Sequence, residues 1–168
     1  MTIPLIPDYR VGSIYELTAE ALKNMGKKLV LADLDNTIAR YREAEPSAAL
    51  FQWKEQLNLA GIEVFILSNG RKPCRSRRFA QAFGVDFISH AGKPRRRGFD
   101  AALERTGFTA EETLMVGDQI FTDIWGANHT GITSVLTEPI ALDTVFRRIR
   151  YGVETPFRAA CPHGEGLE

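Results

Sequence analysis

Leu29-Val30-Leu31-Ala32-Asp33-Leu34-Asp35-Asn36-Thr37 is the stretch that decides how this chain is read. Four consecutive apolar residues without polar alternation describe a strand covered on both faces, the habit of parallel sheets. The run then turns abruptly acidic. Successive strand residues point to opposite faces, so Asp33 and Asp35 share one space if the extended backbone continues to Asp35. Aspartates also crowd ordinary turns and caps, so the pair gains meaning only from its surroundings.

The same apolar device recurs at Val64-Phe65-Ile66-Leu67, Thr113-Leu114-Met115-Val116 and Thr133-Ser134-Val135-Leu136, with a shorter candidate at Val85-Asp86-Phe87-Ile88. Helical periods lie between these runs. Leu50, Trp53 and Leu57 fit one helix with Gly61 as its stop, Phe79, Ala82 and Phe83 a second ending at Gly84, and Phe99, Ala102 and Leu103 a third ending at Gly107. Alternating strand and helix predicts the α/β class, a central parallel sheet flanked by helices with right-handed crossovers. Ahead of it, Thr18 to Gly26 reads as a capped helix; behind it, Leu142, Val145, Phe146 and Ile149 read as an amphipathic helix. From Gly152 onward the chain is rich in breakers. The expected organisation is one domain over 1–151 and a loosely held tail over 152–168.

With 168 residues, 44% of them hydrophobic, the chain can bury one sizeable core. No apolar run approaches the roughly 20 residues of a membrane span. The opening Met1-Thr2-Ile3-Pro4-Leu5-Ile6-Pro7 lacks the basic and apolar regions of a secretory signal, so the cytoplasm is the expected address. Cys74 and Cys161 are expected as reduced thiols. Cys161-Pro162-His163 has no second cluster to complete a zinc site, and His90, His129 and His163 form no spaced set. Net charge is zero but uneven: residues 71–97 hold nine Lys or Arg against Asp86 alone, leaving 12 basic and 20 acidic residues elsewhere. That asymmetry points to an anionic partner or to solvated basic helix faces.

Three further elements follow apolar strands as Asp33-x-Asp35 does. Ser68-Asn69-Gly70 offers a hydroxyl and amides at a strand's carboxyl edge, where open α/β sheets bind ligands. Lys93, before Pro94, brings a cation. Gly117-Asp118-Gln119-Ile120-Phe121-Thr122-Asp123 ends the next strand in a second acidic pair, and hard oxygen ligands suit Mg²⁺. Each alone is ambiguous; four in order are specific.

These four elements resemble the motifs of the haloacid dehalogenase superfamily. Leu5-Ile6-Pro7-Asp8, Ser13 to Leu17, Ala32 to Thr37, Ile66 to Asn69 and Gly117 to Asn128 are similar to the YqeG group of its subfamily IIIA, which includes phosphatidylglycerophosphate phosphatases. The resemblance implies a Rossmann-like fold and an Mg²⁺-dependent phosphatase. Asp33 would be the nucleophile and Asp35 the general acid and base; Ser68, Asn69 and Lys93 would hold the phosphoryl group. Asp33, Asp118 and the carbonyl of Asp35 would hold the metal, with Thr37 ordering the first loop and Asp123 acting from behind. One departure stands out: group members often carry a second Asn after Ser-Asn, and here Gly70 follows Asn69.

Only 30 residues separate Thr37 from Ser68 and 24 separate Ser68 from Lys93, which leaves no room for an inserted cap domain. An uncapped site excludes water poorly and suits a substrate that brings its own cover. Because the basic segment follows Ser68 and brackets Lys93, its cations are expected around the mouth, where an anionic membrane would attract each by about 1 kcal/mol. The favoured reading is therefore a phosphatase for the phosphatidylglycerophosphate head group, peripheral on the inner membrane face. Its alternatives are a phosphatase for a soluble sugar phosphate or nucleotide closed by oligomerisation, and a non-catalytic RNA- or ribosome-binding module; DNA is not an expected partner. The intact acidic and lysine set weighs against the binding module, as does the lack of aromatics among Arg95-Arg96-Arg97.

Overall fold

The computed structural model describes residues 4–70 and 72–161. Arg71 and the Pro162-His163 portion of the possible ligand pair lie outside them. Among the described residues β1 (Tyr9–Val11), β2 (Leu29–Ala32), β3 (Glu63–Leu67), β4 (Asp86–Ile88), β5 (Thr113–Gly117) and β6 (Thr133–Thr137) form one sheet in the order β1-β6-β5-β2-β3-β4. Every pairing is parallel. This is the expected Rossmann-like arrangement, and no inserted cap interrupts the described residues.

Strand β2 lies between β3 and β5, so the carboxyl ends of all three deliver their loops to one place. Its alternate residues divide between two cores. Val30 and Ala32 join Leu22, Leu50, Trp53, Leu57, Phe79 and Phe83. Leu29 and Leu31 join Phe65, Phe99, Ala102 and Ala127 on the other face. Thus α1 (Ala19–Asn24), α2 (Ala48–Leu59) and α3 (Pro73–Phe83) cover one side, while α4 (Arg96–Thr106) and α5 (Trp125–Thr130) cover the other.

Local signals placed most boundaries. Thr18 Oγ1 accepts from Ala21 N at 3.1 Å, and Ser47 Oγ from Leu50 N at 3.2 Å, capping α1 and α2. Gly84 and Gly107 follow α3 and α4 with φ of 69° and 78°, the left-handed turn that glycine adopts without strain. Strand β1 was not anticipated. Three residues are too few to show a period, and its place is set by pairing to β6 and by the Arg10–Glu138 ion pair at 2.8 Å.

The boundary drawn at residue 151 does not hold either. The last helix, α6, runs from Val145 to Ala159 through Gly152 and Pro156, with Glu154 and Arg158 buried. The two breakers suggested a loose tail, but buried charge contacts anchor the helix beyond them. Cys74 is an exposed free thiol, and Cys161 is buried. Among the described residues no helix is long and apolar enough to cross a membrane.

Candidate active site

Asp33 leaves the end of β2 with its backbone N–H donating to Val116 O at 3.0 Å, which continues the sheet pairing one residue past the strand. Its buried carboxylate meets Lys93, whose Nζ lies 2.7 Å from Asp33 Oδ1, 2.7 Å from Asp123 Oδ1 and 2.7 Å from the Leu67 carbonyl. Three contacts match the three donors of an ammonium group. Lys93 is thus a buried, fixed cation between β2, β3 and the segment after β5. Burial opposes its charge, but Asp123 and Asp33 outweigh burial and raise its pKa.

Asn69 sets that lysine in place. Its Nδ2 donates to the Lys93 carbonyl and its Oδ1 accepts from the Lys93 amide, each at 2.9 Å. The side chain expected to touch substrate is therefore engaged with backbone. Ser68 Oγ accepts from Gly70 N at 3.0 Å and lines the pocket. A Cβ at Gly70 would stand 3.1 Å from Ser68 Oγ and 3.6 Å from Asp35 Oδ2, so glycine keeps that gap open.

After β5 the chain enters a π-helical turn, Ile120–Ile124, a geometry frequent at functional sites. The turn brings Asp123 back against the strand end, where its Oδ2 accepts from Gln119 N at 3.1 Å. Gly117 is required there, because a Cβ would lie 2.2 Å from Asp123 Oδ2. Thr37 Oγ1 reaches both Asp33 Oδ2 at 3.5 Å and Asp118 Oδ1 at 3.4 Å, long contacts that order more than they bind.

Asp33, Asp118 and Asp123 place carboxylate oxygens within 4.8 Å of one another. The expected metal set was the carboxylates of Asp33 and Asp118 with the backbone carbonyl of Asp35, and Asp123 behind. The carboxylate of Asp35 stands apart, paired with Arg75 at 2.5 Å. Asp123 joins the cluster, yet Lys93 and Gln119 N take its two oxygens. Asp118 Oδ2 is buried and, among the described residues, without a hydrogen-bond partner, with Arg150 at 3.6 Å. An orphaned anionic oxygen beside a second carboxylate fits a hard divalent cation, and Asp33 and Asp118 are the groups with room for it. Burial first, then the neighbouring carboxylates, pushes Asp33 up to about 7 and Asp118 up to about 8. A bound cation would remove that penalty.

The basic rim differs from expectation. The pocket over Asp33, of about 190 Å³, is lined by Tyr41, Ser68, Gly70 and Gln119 together with Arg147 and Arg150 from α6. Arg95 and Arg97 line a separate hollow beside His90 and Arg105, and Arg96 pairs with Asp100 at 3.5 Å. Among the described residues of the basic segment, Arg75 reaches the site beside Lys93; it also donates to the carbonyls of Arg40 and Glu43 and stacks on Tyr41 at 5.4 Å, a ring that Lys72 approaches at 5.9 Å.

The helix expected around Val145 to Ile149 is present, but its continuation past Gly152 and its place over the site were not anticipated. Arg158 donates to the Asp118 carbonyl and, at 3.3 Å, to Glu154, whose other oxygen accepts from Ile120 N at 3.0 Å. The Glu154–Arg158 spacing of four was the available signal, hidden behind Gly152 and Pro156.

Residues 15–131 match the model of the hydrolase family described as haloacid dehalogenase-like hydrolase. The probable phosphatase YqeG of Bacillus subtilis (strain 168) is 33% identical over 136 residues, spanning 81% of this chain and 78% of that protein. Phosphatidylglycerophosphate phosphatase 1, chloroplastic/mitochondrial, of Arabidopsis thaliana is 27% identical over 145 residues, 82% of this chain and 42% of the plant protein. The solved 3-deoxy-D-manno-octulosonate 8-phosphate phosphatase of Moraxella catarrhalis, in complex with magnesium, phosphate and KDO, is alike in fold. Its TM-score is 0.51 at 13% identity, over 84% of this chain and 95% of that one.

Proposed function

The chain belongs to the haloacid dehalogenase-like hydrolases and is a phosphatase, and we propose that it is an Mg²⁺-dependent phosphomonoesterase for a phosphatidylglycerophosphate-type lipid head group, working through an aspartyl phosphate on Asp33. The observation that carries the chemistry is the buried Asp33–Lys93–Asp123 arrangement beside the orphaned Asp118 oxygen. A carboxylate at the centre of a sheet edge, with a fixed cation beside it, has the makings of a nucleophile facing a phosphoryl group.

In this reading Asp33 attacks phosphorus through Oδ2, the oxygen that Lys93 does not hold, and the bond from phosphorus to the alcohol oxygen breaks. Asp35 gives its proton to that oxygen. Asp35 then takes a proton from the water that attacks phosphorus, the bond to Asp33 breaks, and inorganic phosphate leaves with Asp33 again a carboxylate and Asp35 again protonated. Ser68 Oγ, held by the Gly70 amide, donates its hydroxyl proton to a phosphoryl oxygen, and Asn69 keeps Lys93 in register. When bound at Asp33 and Asp118, Mg²⁺ would supply positive charge that favours both ionised carboxylates and offsets the negative charge of the phosphoryl group. Arg75 must release Asp35 before that carboxyl can carry a proton, and the incoming phosphate is the competing anion.

Pocket size supports a lipid substrate. About 190 Å³ is below the roughly 300–1,000 Å³ of sites that enclose a small ligand, so the phosphate enters and the remainder stays outside. The Arabidopsis relative's name points the same way.

The test is phosphate release, with and without Mg²⁺, from phosphatidylglycerophosphate in anionic vesicles beside soluble sugar phosphates and nucleotides. Lipid turnover should exceed soluble turnover and vanish in Asp33→Asn. Preference for a soluble ester, indifferent to vesicles, would overturn the lipid reading, and residual turnover in Asp33→Asn would overturn the nucleophile.

A further inference from the structure

We infer that the outer face of α6 is a docking surface for an anionic lipid bilayer, which seats the mouth of the pocket against the membrane. This deepens the lipid reading and rests on it for its biological sense, though docking is measured separately from turnover. The helix is turned inside out. Its inward face carries Glu154 and Arg158, 0% and 3% exposed, whereas Val145, Phe146, Ile149 and Val153 are 72%, 73%, 61% and 56% exposed. Positions 145, 149 and 153 recur every four residues and 146 adjoins them, so the four make one stripe along the helix.

Charge complementarity identifies the occupant. The helix holds Arg147, Arg148, Arg150 and Arg158 against the buried Glu154; Arg147 pairs with Asp143 just ahead of the helix, Arg150 faces Asp118 and Arg158 is buried on Glu154, which leaves Arg148 as the exposed cation beside the stripe. Arg148 is exposed on one side of the stripe and Arg150 stands on the other, with no acid on the outward face between them. An apolar stripe bordered by arginines is the pattern of helices that lie in the plane of an anionic membrane surface. A second copy is disfavoured, because a two-fold contact through the stripe would set the arginines of both chains side by side.

Position supplies the purpose. Arg147 and Arg150 line the pocket that holds Asp33, while Val145, Phe146 and Ile149 leave the same two turns of the helix toward solvent. A bilayer beneath the stripe therefore lies at the pocket mouth, where a phosphorylated head group stands out from the lipid surface.

The experiment compares the full chain with Phe146→Ser/Ile149→Ser by co-sedimentation with phosphatidylcholine vesicles with and without phosphatidylglycerol, alongside hydrolysis of p-nitrophenyl phosphate. The native chain should bind the anionic vesicles, and the double variant at least about tenfold more weakly, at equal p-nitrophenyl phosphate turnover and equal far-ultraviolet circular dichroism. Phe146→Trp should shift its emission to the blue on anionic vesicles and be quenched by brominated acyl chains. Vesicle binding that is absent, or unchanged by the double variant, overturns the proposal. So does a native oligomer that the double variant dissolves without any vesicle binding, since the stripe would then belong to a second copy. Binding through the stripe by a chain that prefers soluble esters sustains the docking surface and removes the lipid substrate instead.

Discussion

Helices α4 and α6 both carry arginines and apolar residues at helical spacing, yet they face opposite ways. In α4, Phe99 and Ala102 are buried against Leu29, Leu31 and Phe65, while Arg96, Arg97, Asp100 and Glu104 meet water. In α6, Glu154 and Arg158 are buried and Val145, Phe146, Ile149 and Val153 meet water. What lies underneath accounts for the contrast. Helix α4 covers the apolar face of a parallel sheet, which only apolar side chains can match. Helix α6 covers the loops at the sheet's carboxyl edge, where Ile120 N, Phe121 N and the Asp118 carbonyl require polar partners. A helix over these loops brings charge inward, and Val145, Phe146, Ile149 and Val153 are left outside while Phe157 alone of its larger aliphatic and phenyl side chains packs inward, against Phe121.

The inward charges give the largest expected effect. Arg158→Met leaves Glu154 buried without its cation, and losing one member of a buried pair costs about 3–5 kcal/mol. Burial already pushes the Glu154 carboxyl up against the pull of Arg158. Adding Glu154→Gln should recover part of the loss, because an amide oxygen still accepts from Ile120 N and no charge is stranded. Leu50→Ala, on the apolar-inward side of α2, is the matching reference at about 2–5 kcal/mol. Urea denaturation measures all three. A cost for Arg158→Met within about 0.5 kcal/mol, the usual range of surface substitutions, would break the comparison.

The next effect concerns the carboxylates beneath α6. Asp33 and Asp118 titrate near 7 and 8 in the fold, against an ordinary value of 3.8. Between those limits the folded state keeps protons that the unfolded chain has released. Stability without metal should therefore fall as pH rises from about 5.5 to 8, and level off above that. Carboxyls held low by their partners, such as Glu138 and Asp143, lose their contribution only below this window and do not reverse the sign. Mg²⁺ should raise the melting temperature more at pH 8 than at pH 5.5, because its ligands must be ionised to bind. Metal-free stability that is level or rising across the window would contradict the burial of these groups.

Legibility in the sequence follows the same division. The strands at 29–32, 64–67 and 113–116 could be read because burial on both faces leaves them almost wholly apolar, and the elements at Asp33, Ser68 and Asp118 could be read because each follows such a strand; Lys93, after the half-exposed β4, gained its meaning from the other three. Short β1 could not, since its position depends on β6, whose paired residues lie 126 positions further along the chain. Arg75 on Asp35 could not either: a surface-like arginine on α3 gives no sign that a carboxylate from another strand will receive it. The period of α6 was visible, but not its facing. Periodicity gives a helix's two faces, and which one is inside depends on what it covers.

The smallest effect is expected where the comparison is sharpest. Val153→Ser removes an apolar side chain from α6, and in α4 the equivalent loss, Phe99→Ala, would open a cavity costing about 3–5 kcal/mol. Val153 is 56% exposed, so its removal opens no cavity and exposes little new surface to water. Serine and valine also have similar helix propensity, which leaves no local penalty. The change in unfolding free energy should stay within about 0.5 kcal/mol in urea, with no change in slope. A loss of 2 kcal/mol or more, of the order that burial of a valine contributes, would mean that the stripe is covered within the free molecule. The outward face of α6 would then be an inward one, and the contrast with α4 would disappear.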